Sequence, residues 1–565
     1  MTEPFPDPGI NESVAEQALM EWLGRDGVGY QTLSGGEIAP GSPKAERDSY
    51  RDVVLMGRLK AAIENLNPRV PPIARDEALR KVLRTESPSL LVNNSRFHDL
   101  LVDGIDVEVM TPEGIRGEKV WLIDFERPDN NNWLAVNQFT VHDRDHRRPD
   151  VVIFVNGLPL GLIELKNPAD EDTDIWSAFN QIQTYKQQIS PIFTFNEVCV
   201  VSDGVDARIG SLTSPREWFL PWRTIDGSEL APDSANRLEV LATGVFDKSR
   251  FLDLIRYFTV FQDQDGIRKV LAGYHQFHAT RKALATTIRA SLPGGDRRAG
   301  VVWHTQGSGK SLTMAFYSGK LITAPELENP TIVVLTDRND LDDQLFGVFA
   351  ASRDLLRQDP VQASDRTDLR SHLQVAAGGV VFTTIQKFLP EEKGDRFPLL
   401  SERRNIIVIA DEAHRTQYGF VTGFARHMRD ALPNATFVAF TGTPVELDDR
   451  DTRAVFGDYI DIYDIQQAVA DEATVPIYYE NRQVKIDLKE EEKPRVDEEF
   501  EDVVEGEEDR RTEGLKRKWA QLEAVVGSER RLALIAKDIV EHFETRLSAL
   551  EGKAMIVCMS RRICV

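Results

Sequence analysis

The run HTQGSGKS, residues 304–311, combines residue types and spacing suited to holding phosphate. It follows the apolar stretch Val301 to Trp303 and precedes LTMAFYSGKL, which reads as a helix. Strand, glycine-rich loop and helix is the order in which backbone N–H groups close around phosphate oxygens at a helix N-terminus. In such a cradle Thr305, Gly307, Ser308 and Gly309 form the loop, Lys310 reaches the β- and γ-phosphates of ATP, and the Ser311 hydroxyl ligates Mg2+. The strict pattern begins with glycine where this chain has His304, and an ordinary glycine-rich turn is the plainer alternative. A second run, IIVIADEAH, sets Asp411 and Glu412 just past a buried strand, where open α/β sheets bind ligands. There Asp411 can hold Mg2+ through its water shell and Glu412 can take a proton from an attacking water, with His414 closing the run. Read blandly, the same acids are a helix N-terminus. A third run, VAFTGTP, places Thr441 and Thr443 after another strand, where they could link nucleotide state to a bound strand. Alone it is a turn.

A second constellation lies upstream in RRPDVVIFVNGLPLGLIELKNP, residues 147–168. Glu164 and Lys166 are two apart on a strand and so share a face. Asn156-Gly157 between two apolar runs is a strong hairpin signal, folding the strand that follows Asp150 beside the strand that carries Glu164. Two carboxylates and the Leu165 carbonyl make an oxygen-rich cage for Mg2+, and Lys166 can orient or activate water for attack on phosphate. E-x-K is common on exposed strands, but two charges on one face at the end of LPLGLIELK need a reason. The register makes a sharper demand. A plain two-residue turn pairs Val155 with Leu158 and leaves Asp150 opposite Ile163, with Glu164 pointing away. A shared cage therefore predicts a three-residue connection or a one-residue bulge, permitted by Gly157 or Gly161.

The elements that must position these groups show two rhythms. Helical spacing opens the chain at Val14, Ala18, Leu19, Trp22 and Leu23, and continues over 50–66 and 76–84. Short β-rich runs occupy 107–201, as a mixed sheet with a helix over 175–188 beside it. Helices are expected over 249–258, 265–271 and 274–290. Beyond them, continuous apolar runs (GVVWHT, TIVVLTD, GVVFTT, NIIVIADE, ATFVAFTG) alternate with helical stretches, the pattern of parallel strands buried between helical layers. The ending KAMIVCMSRRICV reads as a buried strand opening a new unit. A chain of 565 residues, 41% hydrophobic and 28% charged, has the balance of a multi-domain globular protein. No stretch reaches the ~20 apolar residues of a membrane span, and the N-terminus is acidic and proline-rich, unlike a signal peptide. Three cysteines without ligand spacing argue against disulfides and structural zinc and fit a reducing cytoplasm. The formal charge of −23 argues only weakly against nucleic acid, because much of it sits in one solvated run, residues 488–511.

Taken in order, HTQGSGKS, VLTDRNDLDDQ, VVFTTIQKF, DEAH and FTGTP resemble motifs I, Ia, Ib, II and III of a superfamily 2 helicase or translocase. GYHQFHATRKAL, residues 273–284, is similar to that family's adenine-reading segment, which implies Gln276 as base contact and Tyr274 as stacking partner. A helix-starting glutamine beside a buried tyrosine is the alternative. D…E-x-K followed by Gln181 and Tyr185 as Q-x-x-x-Y, ahead of a DEAH motor, resembles the restriction (R) subunit of type I restriction-modification enzymes. That resemblance implies an α/β protein: a mixed-sheet nuclease domain over 1–240, a RecA-like parallel-sheet lobe over 245–475, and the start of a second lobe over 476–565 containing the acidic insert. It implies ATP-dependent translocation on double-stranded DNA and Mg2+-dependent cleavage of unmodified DNA, with methyltransferase (M) and specificity (S) subunits reading the target. Asp150, Glu164 and Lys166 would be catalytic, Gln181 and Tyr185 would help position DNA, and a first-helix glutamate, Glu16 or else Glu21, would complete the site. Chains of this family continue past residue 565, and the second lobe brings arginines that stabilise the transferring phosphoryl group. This sequence alone is therefore expected to bind ATP better than it hydrolyses it. Two other readings are a stand-alone nuclease-helicase of another defence or repair system, told apart by the genes beside it, and a non-catalytic DNA-binding scaffold. Six intact site residues (Asp150, Glu164, Lys166, Lys310, Asp411, Glu412) argue against the second.

Overall fold

The computed structural model describes residues 12–112, 114–167, 174–263, 266–336, 339–384, 387, 399–411, 424–443, 455–476, 478–481, 529–548, 552–558 and 560–565. Two compact units divide at residues 475 and 476. Glu412, His414 and the acidic run 488–511 lie outside the described residues.

The first unit opens with helix α1 (Glu12–Leu23) and a mixed seven-stranded sheet. Its strands, β1 (Gln31–Ser34), β2 (Trp133–Asn137), β3 (Val151–Val155), β4 (Leu158–Leu165), β5 (Val198–Ser202), β6 (Ala207–Gly210) and β7 (Leu220–Pro221), lie side by side in chain order. Pairing is parallel for β1–β2 and β4–β5 and antiparallel elsewhere. Every residue of β3 and β4 is buried, so these strands read as continuous apolar runs rather than alternating ones. Before the sheet resumes at β2 come α2 (Met56–Leu66), α3 (Pro72–Leu83) and α4 (Leu90–Asp103). The helix expected over 50–66 starts only at Met56, because Val53, Val54 and Leu55 are buried lead-in and the Leu55 N–H donates to the Gly157 carbonyl. The one expected over 76–84 begins earlier, with Pro72 in its first turn, where the missing N–H costs nothing. Helix α4 shows no clean helical pattern in the sequence, because buried Asn93, Asn94 and His98 interrupt its apolar stripe. After β4 comes α5 (Ile175–Gln188), capped by Asp174, whose side chain accepts from the Ser177 N–H; it packs against β4 and β5.

Between β3 and β4 the turn is the two-residue kind. Asn156 and Gly157 both have positive φ, 52° and 82°, as a type I′ turn requires. Only glycine fits the second position, since a Cβ there would stand 2.5 Å from the Leu55 carbonyl oxygen. From the turn, Val155 pairs with Leu158 and Phe154 with Pro159, and then the register shifts so that Ile153 meets Gly161 and Val151 meets Ile163. Leu160 is the extra residue of a bulge. Pro159 has no N–H to give the ladder, and a Cβ on Gly161 would crowd Ile153 at 3.1 Å. Continued by one residue, the pairing sets Asp150 opposite Glu164, as a shared cage demands.

Helices α6 (Arg237–Val245) and α7 (Lys248–Tyr257) lead to a hairpin, β8 (Thr259–Asp263) with β9 (Ile267–Leu271). The helix expected over 265–271 does not form; its residues Ile267–Leu271 are this strand. These residues pair as a strand because Val270 is buried in the core while Lys269 is fixed by buried partners of its own. Next come α8 (Tyr274–Ser291), β10 (Arg298–His304), α9 (Lys310–Thr323), β11 (Thr331–Thr336), β12 (Val361–Gln362), β13 (Val380–Thr384), β14 (Ile406–Asp411), β15 (Thr436–Thr441) and β16 (Tyr459–Tyr463). The seven strands pair in parallel throughout, in the order β12-β13-β11-β14-β15-β10-β16. Val301, Val333, Val408 and Phe437 enter one core, while their neighbours Val302, Val334, Ile409 and Val438 enter another. Period-two alternation between two apolar layers is why these strands are hydrophobic at every position.

In the second unit the described residues include a helix over Glu529–Leu547. Residues 552–558, expected to be a buried strand, make no strand pairing, and Met555, Ile556 and Val557 are exposed. An all-apolar strand is stable only between partner strands under helices, and the described part of this unit supplies no partner strand.

Candidate functional site

At the end of the bulged hairpin the side chains of Asp150 and Glu164 are 5% and 1% exposed. One Asp150 oxygen accepts the Leu165 N–H at 2.8 Å. Lys166 Nζ donates to Glu164 Oε1 at 3.1 Å and to the Leu165 carbonyl at 3.0 Å. From α5, Tyr185 donates its hydroxyl to Glu164 Oε1 at 3.3 Å and accepts from Gln181 Nε2 at 2.6 Å. All five residues singled out here in the sequence are thus brought together. Glu16 of α1 joins them indirectly. Its carboxylate accepts from Asn137 Nδ2 at 2.7 Å and from Gln138, whose amide also donates to Asp150 Oδ1 at 3.3 Å. Glu21 is exposed and bonded to Gln17.

Burial pushes the Asp150 carboxyl up to about 6, with the Leu165 N–H pulling it back and the charges of Glu12 and Glu16 adding to the rise. Glu164 goes up to about 8, again chiefly through burial, then through repulsion from Asp150, with Lys166 partly compensating. Glu164 Oε2 is buried without a hydrogen-bond partner. A pocket this short of positive charge fits a cation. Lys166 already holds its ammonium against two of the oxygens concerned, Glu164 Oε1 and the Leu165 carbonyl. Among the described residues no group of three or more His, Cys, Asp or Glu side chains could hold a metal. A Mg2+ ion here would therefore rest on Asp150, Glu164 and a main-chain oxygen, an oxygen-only set suited to that hard cation.

The nucleotide cradle lies at the C-terminal ends of the parallel strands. Gly307 and Gly309 have φ of 85° and 84°, and Gly309 is the N-cap of α9, so Lys310 and Ser311 start that helix. Thr305 anchors the loop: its N–H donates to Tyr463, and its carbonyl accepts from the Ser308 hydroxyl at 2.7 Å. Asp411 ends β14, and Thr441 ends β15, opposite Trp303 of β10. Thr441 Oγ1 bonds the backbone of Thr443. Asp411, Thr441 and the loop thus share the crevice edge where such sheets take ligands. Gln276 spends its amide on this scaffold, donating to the Gly309 carbonyl at 3.0 Å and accepting from the Gly273 N–H at 2.9 Å. Tyr274 is buried, with its hydroxyl on Asp471 at 2.7 Å.

Several supporting residues escaped the sequence. His275 bonds the Ser308 carbonyl at 3.0 Å and stacks on Tyr463, 4.0 Å between centroids. His304 is fully buried against Asp461, which also takes Lys282, so the non-glycine first position has a structural partner. Gln138 ties two carboxylates together. An amide at a strand end and a histidine before a glycine loop carry no pattern that spacing could expose.

Two family models match: the type I restriction enzyme R protein N terminus over residues 9–218 and the SWI2/SNF2 ATPase over residues 275–513. The endonuclease subunit of type I restriction enzyme HindI from Haemophilus influenzae is 44% identical across 98% of this chain. By sequence the chain is similar to the endonuclease (R) subunits of type I restriction enzymes. A Methanocaldococcus jannaschii protein named as a candidate endonuclease subunit of that class is 36% identical, again across 98% of the chain. The chain spans about half the length of both R-subunit relatives, 53% and 54%. A solved DNA-bound type ISP restriction-modification enzyme, LlaBIII, overlaps 36% of this chain and 16% of its own at 15% identity and a TM-score of 0.25, too distant to bear on the geometry.

Proposed function

We propose that the chain acts, as part of an R subunit, in ATP-dependent translocation on double-stranded DNA and Mg2+-dependent cleavage of unmodified DNA. Its partners would be methyltransferase and specificity subunits, and its location the cytoplasm; no helix among the described residues is long and apolar enough to cross a membrane. The observation that carries the reading is the bulge, which puts Asp150 and Glu164 face to face with Lys166 on the same chain as a phosphate cradle. Mg2+, when bound, would neutralise phosphate charge and acidify water. In the proposed reaction Asp150, Glu164 and the Leu165 carbonyl would hold the ion. Lys166 Nζ would shift from the Leu165 carbonyl to orient the attacking water by donating to it. Tyr185, held by Gln181, keeps Glu164 Oε1 in place. In the motor, Lys310 and Ser311 take the phosphates and their Mg2+, Asp411 supports the ion, and Glu412 serves as base. Gln276 would read adenine with the N–H and lone pair that its bonds to Gly309 and Gly273 leave over.

The test is ATP-dependent cutting of long unmethylated DNA by the full-length subunit with its methyltransferase and specificity partners. Lys310→Ala is expected to abolish ATP hydrolysis and cutting together. Glu164→Ala or Lys166→Ala should lower cutting about a hundredfold or more while sparing DNA-stimulated ATPase. Loss of ATPase in a well-folded Glu164→Ala protein would refute the assignment of two sites.

A further inference from the structure

We propose that Arg47 is a phosphate-binding residue that grips a backbone phosphate of bound DNA. It lies between β1 and α2, is 5% exposed, and is the one guanidinium among the described residues whose three nitrogens are all buried without a hydrogen-bond partner. An arginine buried without a counter-ion is among the costliest groups in a protein interior and calls for an anion. The neighbouring carboxylates make no hydrogen bond to it, although the charge of Asp52 favours its ionised form. Glu46 is held through both oxygens by Arg58, at 2.5 and 2.6 Å, and Asp52 accepts the Asp48 and Ser49 N–H groups at 3.2 and 2.8 Å. Burial lowers the Arg47 pKa to about 10, so the charge persists at neutral pH.

Two aromatic rings fix the guanidinium, Phe139 at 3.9 Å and Tyr50 at 5.2 Å from its carbon. A planar fork held flat on a ring can meet a bidentate oxyanion with two parallel N–H groups once the residues covering its edge give way, a match a lysine could not make. Arg47 borders a cavity of about 610 Å³ shared with Glu46, Asp48, Asp52, Arg58 and Asn132. Phe139 directly follows Gln138, the residue bonded to both Asp150 and Glu16, while Asn132, Val54 and Met56 carry the cavity toward the turn end of the β3–β4 hairpin, at the other end of those strands from the carboxylate cage. The polymer's identity rests on the nuclease reading; the anion site itself does not. Free phosphate offers the same chemistry.

The test compares wild type, Arg47→Met and Arg47→Lys for affinity toward a short DNA duplex across a salt series, and for thermal unfolding with and without inorganic phosphate. Arg47→Met is expected to weaken duplex binding about tenfold and to reduce the slope of log K against log salt by about one. Its melting temperature without ligand should stay level or rise, since an unpaired buried charge is gone. Arg47→Lys should keep the salt slope but lose part of the affinity. Unchanged affinity and slope in Arg47→Met, with a lowered melting temperature, would make Arg47 a structural stacking residue and overturn the proposal. If phosphate stabilises only wild type while duplex binding ignores the substitution, the site takes free phosphate and the DNA assignment falls. Cutting is not read, so failure of the nuclease reading shows separately, as retained Arg47-dependent duplex binding in a chain that cannot cleave.

Discussion

Glu164 has one oxygen bonded to Lys166 and Tyr185 and one left alone where water does not reach, so it holds its proton up to about pH 8. Its folded pKa is raised above the ordinary 4.5, so the neutral form stabilises the fold. That contribution is complete below about pH 4.5 and fades as pH climbs toward 8. Wild type without Mg2+ should therefore lose melting temperature over this window relative to Glu164→Gln, which has nothing to titrate there. Mg2+ needs the charged form, so its stabilising effect should grow over the same range. Parallel melting curves for the two proteins across the window, in chelator, would show that Glu164 does not titrate this way. Residue identities were legible here because Glu164 and Lys166 end an otherwise apolar strand, which is an anomaly in type. Gln138 was not, because its role depends on a positive φ of 55° and on partners 12 and 122 residues away.

The β3–β4 hairpin decides whether the two carboxylates share a face, and Leu160 is the residue that shifts the register. The sequence carried this demand in P-L-G: a proline that cannot join the ladder, then a glycine that yields room to Ile153. A Cβ at Gly161 would lie 3.1 and 3.2 Å from Ile153 atoms and 3.4 Å from Phe246. Gly161→Val adds two further methyl groups to a fully packed spot, and is expected to cost about 1–3 kcal/mol by denaturant unfolding. It should also reduce cleavage, by disturbing the pairing of Asp150 with Glu164, while DNA-stimulated ATPase persists. A change within a few tenths of a kcal/mol would mean that the bulge has slack the geometry does not show. Other elements were less legible for the same reason throughout: tertiary partners overrode local pattern. The stretch 267–271 forms a strand because β8 pairs with it. Helix α4 buries polar groups whose partners come from residues 193–197, a hundred positions on.

At the scale of the molecule, the sequence suggests a nuclease part and a motor part meeting near residue 240, and the structure joins the two sheets within one compact unit. A single core cluster runs from Ala15 to Ala468. Fully buried Lys269 of β9 bonds Glu197 at 2.6 Å, just ahead of β5. Arg223, just after β7, bonds Asp471 at 3.0 Å, and the same aspartate takes the hydroxyls of Tyr274 and Tyr463 beside the phosphate loop. Lys269 and Glu197 are both without solvent contact, and removing either leaves a buried charge unpaired, a loss of roughly 3–5 kcal/mol. Sequence spacing could not foresee such links, because each joins residues far apart in the chain. The expected consequence is cooperative unfolding. Residues of the mixed sheet and of the parallel sheet should lose protection in hydrogen exchange with one shared free energy. A non-hydrolysable ATP analogue bound at Lys310 should then raise protection in β3–β5 as well as in β10 and β15. Protection confined to the parallel sheet would show that the two parts open independently, and that Lys269–Glu197 and Arg223–Asp471 do not couple them. Lys269→Met supplies the complementary test. It should separate the two exchange free energies while leaving the Asp150–Glu164–Lys166 cluster, which lies on other strands, able to bind Mg2+.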